Sequence, residues 1–327
     1  MHPSKALMSS IDALYAGFVS ALPEPLRATA NDLPHAFRLT PIAKQPWSAV
    51  FSHAVTLEAP RLFAGALPHA SPDMVRRAVL AHALAVIEAF GSDRIADRQI
   101  VPTRELLAVL DELKRTRDTI LDSVWPGGGA MARAADRDST DAIKEESGLL
   151  RRIAAITFDE YRRISLAKQS VGFPASIALA RAAGAGDEQV EQIRRTLAGV
   201  WFGLQFEDDA VDWEDDWRRG GGAWAVSLAR RRLESVKEQS ADERPTEPDI
   251  VRRRVHRMRV LYFMLRSARY RYRAAWRYAR RLGAEPLAQW AEQRVQRLDG
   301  LLPFELRHPG YVVRALKLAP WASEVLT

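Results

Sequence analysis

The sequence contains no cysteine among its 327 residues, and this absence excludes disulfide bonds, thiolate metal ligands and a cysteine nucleophile. No segment approaches about 18 consecutive apolar residues, so we expect no membrane-spanning helix. The N-terminal segment lacks a basic stretch followed by a long apolar run, and we therefore expect no secretory signal. Together these absences favour a cytoplasmic protein.

Strand patterns are also scarce, because β-branched residues seldom alternate with polar ones. Hydrophobic residues make up 47% of the chain, enough for a sizeable core, and they recur with the helical period in six long segments. These segments are residues 73–90, 104–124, 146–170, 187–217, 223–237 and 250–282. No linker and no repeat stands out between them. The pattern predicts a single all-α domain over residues 1–327.

One predicted helix carries an unusual density of negative charge, in the segment FGLQFEDDAVDWEDDW at residues 202–217. Seven acidic residues occupy the ten positions 207–216, and the whole segment contains four large aromatic side chains. Like charges one turn apart destabilise a helix, and aspartate is a poor helix former. Such a helix needs a partner that neutralises the charge.

The helical repeat of about 100° per residue sorts these side chains by direction. One face about 120° wide collects five carboxylates, an amide and an indole. Its members are Trp201, Gln205, Asp208, Asp209, Asp212, Asp215 and Asp216. Glu207 and Glu214 point almost the opposite way, and we expect them to be solvated and near arginines.

Two interpretations of the acidic face compete. A solvated acidic stripe is the commoner explanation of a charge run, but the flanking segment LAGVWFGL at 197–204 looks buried. Carboxylates spaced at i, i+4 and i+8 are hard oxygen ligands that suit Mg²⁺, which shares its remaining positions with water and substrate phosphates. We favour the metal site. Asp93 and Asp97, four residues apart, supply a second carboxylate pair, although an exposed pair bridged to Arg94 and Arg98 would explain that pair alone.

The acidic segment resembles the second aspartate-rich motif of class I isoprenoid synthases, whose trans-prenyltransferase form is Q-x-x-D-D-x-x-D-x-x-x-D. The matching residues are Gln205, Asp208, Asp209, Asp212 and Asp216. The segment also resembles the terpene-cyclase form of that motif. DRIAD at 93–97 resembles the first motif of squalene and phytoene synthases, D-x-x-x-D. It departs from the prenyltransferase form D-D-x-x-D, because Arg94 replaces the second aspartate.

A third match is the segment at 157–185, which contains a tyrosine, Lys168 and a helix break expected at Gly172 and Pro174. The resemblance covers roughly residues 75–235. It implies a single-domain helical bundle of the isoprenoid synthase type with a central apolar cavity. Two acidic helices at the mouth would hold three Mg²⁺ ions, which would bind a prenyl diphosphate and draw off pyrophosphate.

The resemblance also implies residue roles. The expected metal ligands are Asp93, Asp97, Asp208, Asp212 and Asp216, of which the first four, with Lys168, are the expected catalytic residues. Lys168 matches the family's diphosphate-binding lysine, whereas Arg98 and Arg219 are assigned to the diphosphate by position and would serve equally well in surface salt bridges. From helical geometry, Val86, Ala89, Phe90, Trp201 and Gln205 are expected to line the cavity, with ordinary core packing as the alternative.

Three functions remain open. Chain-elongating prenyltransferases usually carry a G-G-K-R-x-R-P element that binds isopentenyl diphosphate, and nothing like it occurs here. By elimination we favour an Mg²⁺-dependent terpene synthase with lyase chemistry. A prenyltransferase, chain-elongating or head-to-head, is the first alternative, and an inactive helical binding protein of the same fold is the second.

Arginine dominates the C-terminal third, and most of the formal net charge of +7 lies there. A solvated helix face is the simplest explanation of these arginines. Contact with an anionic membrane surface comes next, and we expect no nucleic acid partner. A homodimer remains open.

Overall fold

The structure of the protein is a computed structural model that describes residues 5–51, 53–96, 98–150, 157–220, 224–235 and 248–318. These residues form sixteen α-helices and two short 3-10 helices, and no strand occurs among them. The all-α class predicted from the sequence is confirmed.

The first eight helices are α1 (Lys5–Ala21), α2 (Glu24–Asn31), α3 (Leu33–Ala36), α4 (Trp47–Val50), α5 (Ala54–Phe63), α6 (Pro72–Ala96), α7 (Arg104–Val124) and α8 (Gly128–Leu150). The remaining eight are α9 (Phe158–Lys168), α10 (Pro174–Ala182), α11 (Asp187–Gly220), α12 (Trp224–Ser235), α13 (Pro248–Arg257), α14 (Val260–Leu282), α15 (Glu285–Arg307) and α16 (Tyr311–Leu318). The 3-10 helices are Ala64–Ala66 and Gln169–Gly172.

Local sequence explains several helix ends. Thr103 caps α7 by accepting a hydrogen bond from the amide of Leu106, and Thr157 and Glu160 form a capping box at the start of α9. The break expected after Lys168 is confirmed, because α9 ends there and α10 begins at Pro174. Pro174 fits this position because the first turn of a helix needs no donor from its first residue.

Two of the predicted segments are wrong in their bounds. The segment predicted at 146–170 divides between α8 and α9, and α8 begins as early as Gly128. The segment predicted at 250–282 is two helices, because Arg259 adopts a left-handed conformation with φ 53° between α13 and α14. The glycines at 221–222 lie outside the described residues.

The described chain groups into two compact units, each assembled from separate stretches of sequence. Unit 1 comprises residues 1–137, 170–194 and 279–287, and unit 2 comprises residues 138–169, 195–278 and 288–327. The single domain expected from the sequence stays a prediction.

Unit 1 is built around α6, whose side chains from Ala81 to Glu88 are all buried. Gly91 continues this buried face, and a Cβ there would lie 2.6 Å from the ring of Phe37, so only glycine lets α6 approach so closely. Arg117 on α7 is only 2% exposed, and Asp118 and Asp136 accept hydrogen bonds from its guanidinium. This buried charge is therefore fully paired, as stability requires.

Unit 2 is built around the part of α11 that follows residue 194. Gly199 and Gly203, one turn apart, lie against α14. A Cβ on Gly203 would be 2.5 Å from the ring of Tyr272, and one on Gly199 would be 3.0 Å from the backbone oxygen of Arg271. The two glycines let α11 and α14 come into close contact, and the first of the seven acidic residues, Glu207, lies four residues after Gly203.

Candidate functional site

The acidic segment lies in the C-terminal half of α11, within unit 2. Asp208 is exposed, and Asp212, Asp215 and Asp216 are half-buried. These four carboxylates, which share one face of α11, therefore keep access to solvent. The other three acidic residues of the segment behave differently.

Asp209 is buried, with 7% of its surface exposed. Its Oδ2 accepts a short hydrogen bond from the hydroxyl of Tyr161, and its Oδ1 accepts one of 2.8 Å from Nε2 of Gln205. Burial raises the pKa of Asp209 well above its usual range, and the charge of Asp208 adds to the effect. Asp209 lies at the edge of the acidic face, where Tyr161 of α9 covers it, so it differs in burial from the other carboxylates of that face.

Glu207 is also buried, at 8% exposure, and it lies within 4 Å of two arginines of α15, Arg294 (3.7 Å) and Arg297 (3.9 Å). The ring of Tyr272 completes this cluster, with the Arg294 guanidinium 5.8 Å from its centroid. The prediction that Glu207 is near arginines is correct, but the prediction that it is solvated is wrong. Its direction, opposite to Asp208, points it at α15 instead of at water.

Glu214 is paired as well. Its carboxylate receives hydrogen bonds of 2.9 and 3.1 Å from Arg252 on α13, and Arg218 lies 3.3 Å away, one turn along α11. Its side chain is 26% exposed, so this pair is partly solvated. Arginines thus offset the charge of Glu207 and Glu214, and two neutral donors bind Asp209, so neighbouring side chains stabilise three of the seven acidic residues.

Lys168, the last residue of α9, is also in unit 2. Its ammonium donates to Glu146 on α8, and the indole Nε1 of Trp224 donates to the same carboxylate at 2.8 Å. The backbone carbonyl of Lys168 accepts a hydrogen bond of 2.8 Å from Ser139. Both the side chain and the carbonyl of Lys168 therefore bind α8 at the end of α9. The side chain of Lys168 is 19% exposed.

A cluster of aromatic rings surrounds this part of unit 2. Tyr161 stacks edge-on against Trp224, with ring centroids 4.3 Å apart, and Phe202 and Phe206 lie 4.6 Å from each other. The guanidinium of Arg271 lies 4.8 Å above the ring of Phe202. Trp201 and Gln205, both expected to line a cavity, are buried in the same helix.

The first motif is at the end of α6, in unit 1. Asp93 is half-buried, α6 ends at Ala96, and Asp97 lies outside the described residues. Arg98 is exposed and has a left-handed backbone, with φ 58°. The backbone of Arg219 belongs to α11, but its side chain is outside the described part of the chain.

The three cavity candidates of α6 take part in packing within unit 1. Val86 belongs to the buried cluster of aliphatic and aromatic side chains, and Phe90 packs against that cluster with its ring centroid 5.1 Å from that of Phe51. Ala89 is half-buried. Their role as cavity residues stays a prediction.

The donor set fits a hard divalent cation. Asp208, Asp212 and Asp216 present carboxylate oxygens from successive turns of α11, and Mg²⁺ prefers such ligands. Within the described residues, no group of three or more carboxylate, imidazole or thiolate side chains comes together as a ready-made metal cage.

Glu146 and Gln169 were missed from the sequence at this site, and Tyr161, the tyrosine of the third match, was given no role there. Tyr161, Glu146 and Gln169 each contact a motif residue or its neighbour, since Gln169 donates to Gln205 at 2.9 Å and Glu146 accepts from Lys168. A signal existed for Tyr161, because it stands two turns before Lys168 on the same face of α9. No comparable pattern marks Glu146.

No family model matches the sequence, and no curated protein matches it in sequence. Solved structures do match. A polyprenyl synthetase from Streptomyces coelicolor A3(2) is similar with a TM-score of 0.66 and 15% identity, over 89% of this chain and 98% of that chain. A polyprenyl synthase from Caulobacter crescentus CB15, complexed with calcium and isoprenyl diphosphate, is similar with a TM-score of 0.66 and 18% identity, over 89% of this chain and 94% of that chain.

A geranylgeranyl pyrophosphate synthase from Lactobacillus brevis is similar as well, with a TM-score of 0.67 and 12% identity over 89% of this chain and 96% of that chain. At such identities the likeness concerns the fold. The chain has the fold of these prenyl synthases, and the resemblance to class I isoprenoid synthases is confirmed at that level.

Proposed function

We propose, from the fold shared with polyprenyl and geranylgeranyl diphosphate synthases, that this protein is an Mg²⁺-dependent enzyme that transfers the prenyl group of an allylic diphosphate. The observation that carries the proposal is the division of carboxylates on α11. Asp209 and Glu207 are buried in protein contacts, whereas Asp208, Asp212 and Asp216 keep access to solvent. These three are the residues that the second motif assigns to metal.

Asp208, Asp212 and Asp216 would hold one part of the Mg²⁺ complement, and Asp93 and Asp97 the other part, with three ions in total. When bound, the ions would neutralise the charge that develops on the departing pyrophosphate. The Caulobacter structure contains calcium and isoprenyl diphosphate, which supports a divalent cation beside a diphosphate in this fold.

Lys168, Arg98 and Arg219 are the proposed diphosphate contacts. Lys168 already has an anionic partner, Glu146, so a diphosphate would take the place of that carboxylate. An ammonium that moves from one anion to another stays charged. Val86, Ala89, Phe90, Trp201 and Gln205 are the proposed cavity residues, which exclude water from the allylic cation after the diphosphate leaves.

A terpene synthase is the second candidate, and a specific observation favours it. The sequence lacks the G-G-K-R-x-R-P element by which chain-elongating enzymes bind isopentenyl diphosphate, and RLTPIAKQPW at 38–47 is a poor substitute. A lyase needs no second substrate. The two candidates share the ionisation step and differ in what captures the cation.

One assay separates the candidates. Pyrophosphate release is measured with Mg²⁺ and a panel of prenyl diphosphates, with and without isopentenyl diphosphate. A chain-elongating prenyltransferase should release pyrophosphate only when isopentenyl diphosphate is present, whereas a terpene synthase or a head-to-head prenyltransferase should release it without that substrate. The product then separates the last two, because head-to-head condensation joins two prenyl chains. Binding without release would identify an inactive binding protein.

Replacement of Asp208 or Asp212 by alanine tests the metal site. We expect turnover to fall by at least about 100-fold, because removal of a metal ligand removes charge stabilisation in the transition state. Stability should be kept or increased, since like-charge repulsion is relieved. Glu214→Ala is the control on the same helix, and it should retain turnover. Unfolding of Asp208→Ala would assign that residue a structural role instead.

We also propose contact with an anionic membrane surface. The exposed side chains of α14 in unit 2 are Arg266, Tyr270, Arg273 and Arg277, which lie within about 60° of each other around the helix. Tyr270 is 65% exposed, and α14 contains no acidic residue. None of the described helices is both long and apolar enough to cross a bilayer. The cytoplasmic location and the homodimer stay predictions.

A further inference from the structure

A buried chain of hydrogen bonds connects α9 to the acidic segment of α11, within unit 2. The hydroxyl of Tyr161 donates to Asp209, Nε2 of Gln205 donates to the other oxygen of that carboxylate, and Nε2 of Gln169 donates to Oε1 of Gln205. Tyr161 is fully buried, and Asp209 and Gln205 are each more than nine-tenths buried. Water therefore cannot replace these partners without rearrangement of the helices.

The order of the contacts fixes the relation of the two helices. Tyr161 pairs with residue 209 and Gln169 with the side chain of residue 205, so α9 and α11 run antiparallel along this contact. The two contacts are one helical turn apart on α11 and join it to Tyr161 in α9 and to Gln169 directly after α9, so they restrain both the rotation of α11 about its axis and its displacement along α9. Successive residues of a helix differ in direction by about 100°, so the direction of Asp209 determines the direction of Asp208.

We propose that Tyr161 and Asp209 form a positioning pair that turns Asp208 and Asp212 toward the metal ions. This inference rests on the proposed function. Both carboxylate oxygens of Asp209 accept hydrogen bonds from protein donors, which leaves Asp209 as a positioning residue and Asp208 as the metal ligand, although the two are adjacent in the motif.

The same chain of bonds reaches the diphosphate side of the site. Gln169 directly follows Lys168, and Ser139 holds the carbonyl of Lys168 at 2.8 Å. Lys168 is therefore connected to Asp209 through its neighbour Gln169 and through Gln205. Loss of the Tyr161 hydroxyl should therefore weaken metal binding more than diphosphate binding.

Tyr161→Phe removes the donor and keeps the ring that packs against Trp224. The readout independent of turnover is the shift in melting temperature caused by Mg²⁺ with inorganic pyrophosphate. We expect the variant to fold and the concentration of Mg²⁺ needed for half of the shift to rise about 10-fold, the usual effect of losing a hydrogen bond to a ligand's supporting shell. The apparent KM for Mg²⁺ should rise with it.

Tyr272→Phe is the matched control. Tyr272 is as buried as Tyr161, but it contacts α11 at Gly203, on a different side of that helix from Asp209. The substitution by phenylalanine again removes only a hydroxyl. It should change the melting temperature without changing the response to Mg²⁺. A rise in the Mg²⁺ requirement for both variants would mean that any loss of packing around α11 has this effect, and it would overturn the proposal.

Asp209→Asn and Asp209→Ala separate positioning from metal ligation. Asparagine can keep both contacts, because the side-chain amides of Gln205 and Gln169 can rotate to exchange donor and acceptor. We expect the asparagine variant to stay within about 3-fold of the wild type in Mg²⁺ requirement, and the alanine variant to lose about 10-fold or more. Equal losses in both variants would identify Asp209 as a ligand and overturn the positioning role.

The outcomes also separate this proposal from the function on which it rests. A wild-type protein that shows neither turnover nor a response to Mg²⁺ with pyrophosphate would overturn the proposed function and the positioning pair together. A wild-type response that Tyr161→Phe retains unchanged would overturn the positioning pair alone. If Tyr161→Phe does not fold, the two Asp209 variants supply the test.

Discussion

His82 is fully buried in α6, and its Nε2 lies 3.1 Å from the backbone oxygen of Thr56. Burial lowers the pKa of His82 from 6.5 to about 4. The unfolded chain therefore takes up a proton at higher pH than the folded chain does. The free energy of unfolding must then fall as the pH drops below 6.5, and this loss is complete below pH 4.

We expect His82 to reduce the free energy of unfolding at pH 5 by on the order of 2 kcal/mol relative to pH 8. His82→Gln keeps a polar group near Thr56 and removes the titration, so denaturant unfolding at several pH values should show a flatter profile for it. Glu58 on α5 works in the opposite direction, because burial raises its pKa to about 7. Because the wild type and His82→Gln both contain Glu58, its contribution cancels in the difference between their pH profiles. Parallel profiles would show that His82 is not the group responsible.

Phe90 is half-buried and contacts the ring of Phe51. Phe90→Ala should lower the free energy of unfolding by about 2 kcal/mol, less than the 3–5 kcal/mol of a fully buried ring. If its other side lines the cavity, longer prenyl diphosphates should also be accepted, and we expect that shift. Phe51→Ala removes the same ring contact and should leave substrate length unchanged. A larger loss of stability with unchanged length preference would identify Phe90 as core only.

At the level of helices, the contact between α11 and α14 depends on the absence of a side chain. Gly203→Ala places a Cβ 2.5 Å from the ring of Tyr272, so we expect the free energy of unfolding to fall by about 1–3 kcal/mol in spite of the better helix propensity of alanine. Gly300→Ala in α15 is the control, because nothing lies within 4 Å of the added atom.

Gly300→Ala should raise the free energy of unfolding by about 0.5–1 kcal/mol, since alanine restricts the unfolded chain and favours a helix. Urea denaturation of the two variants measures both effects. Stabilisation by Gly203→Ala would show that Tyr272 moves aside freely and that α11 is not fixed against α14.

The sequence was sufficient for the helices whose ends carry strong local signals. α7 was predicted with its observed ends because Thr103 caps its start and a proline and glycines follow its end. α13 and α14 were not separated, since no glycine or proline occurs at Arg259, where the chain turns with a positive φ. The short helices α2, α3 and α5 were missed as well, because prolines at 23, 34 and 60 interrupt their periodic pattern.

The residues of the candidate site were also predictable only in part. The directions of Asp208, Asp212 and Asp216 could be predicted, because a helix alone determines them. The burial of Glu207 and Asp209 could not be predicted, because it depends on α15 and α9. Periodicity describes one helix at a time, and burial of a carboxylate is decided by a second helix that brings a donor or an arginine.

The charge of the whole molecule leads to a test of membrane contact. Near an anionic surface each arginine contributes about 1 kcal/mol, so replacement of Arg266, Arg273 and Arg277 by glutamine should weaken binding to phosphatidylserine-rich vesicles roughly 100-fold. Binding should also weaken with salt. Co-sedimentation with these vesicles and with neutral phosphatidylcholine vesicles measures the effect.

The control variant replaces Arg76, Arg115 and Arg133 by glutamine. It has the same net charge, but these arginines are already paired with Asp73, Glu112 and Asp118. An equal fall for both triple variants would make net charge the cause. Tighter binding to DNA than to vesicles would assign the arginines of α14 to nucleic acid.

The division of carboxylates on α11 has a consequence for genetic scanning of this protein. Substitutions of Glu207, which is held among arginines, should reduce the amount of protein in the cell, because an unpaired buried guanidinium is left behind. Substitutions of Asp208 and Asp212 should leave abundance unchanged or higher while product disappears. A scan that records abundance and product separately would therefore place neighbouring codons of one acidic segment in different phenotypic classes.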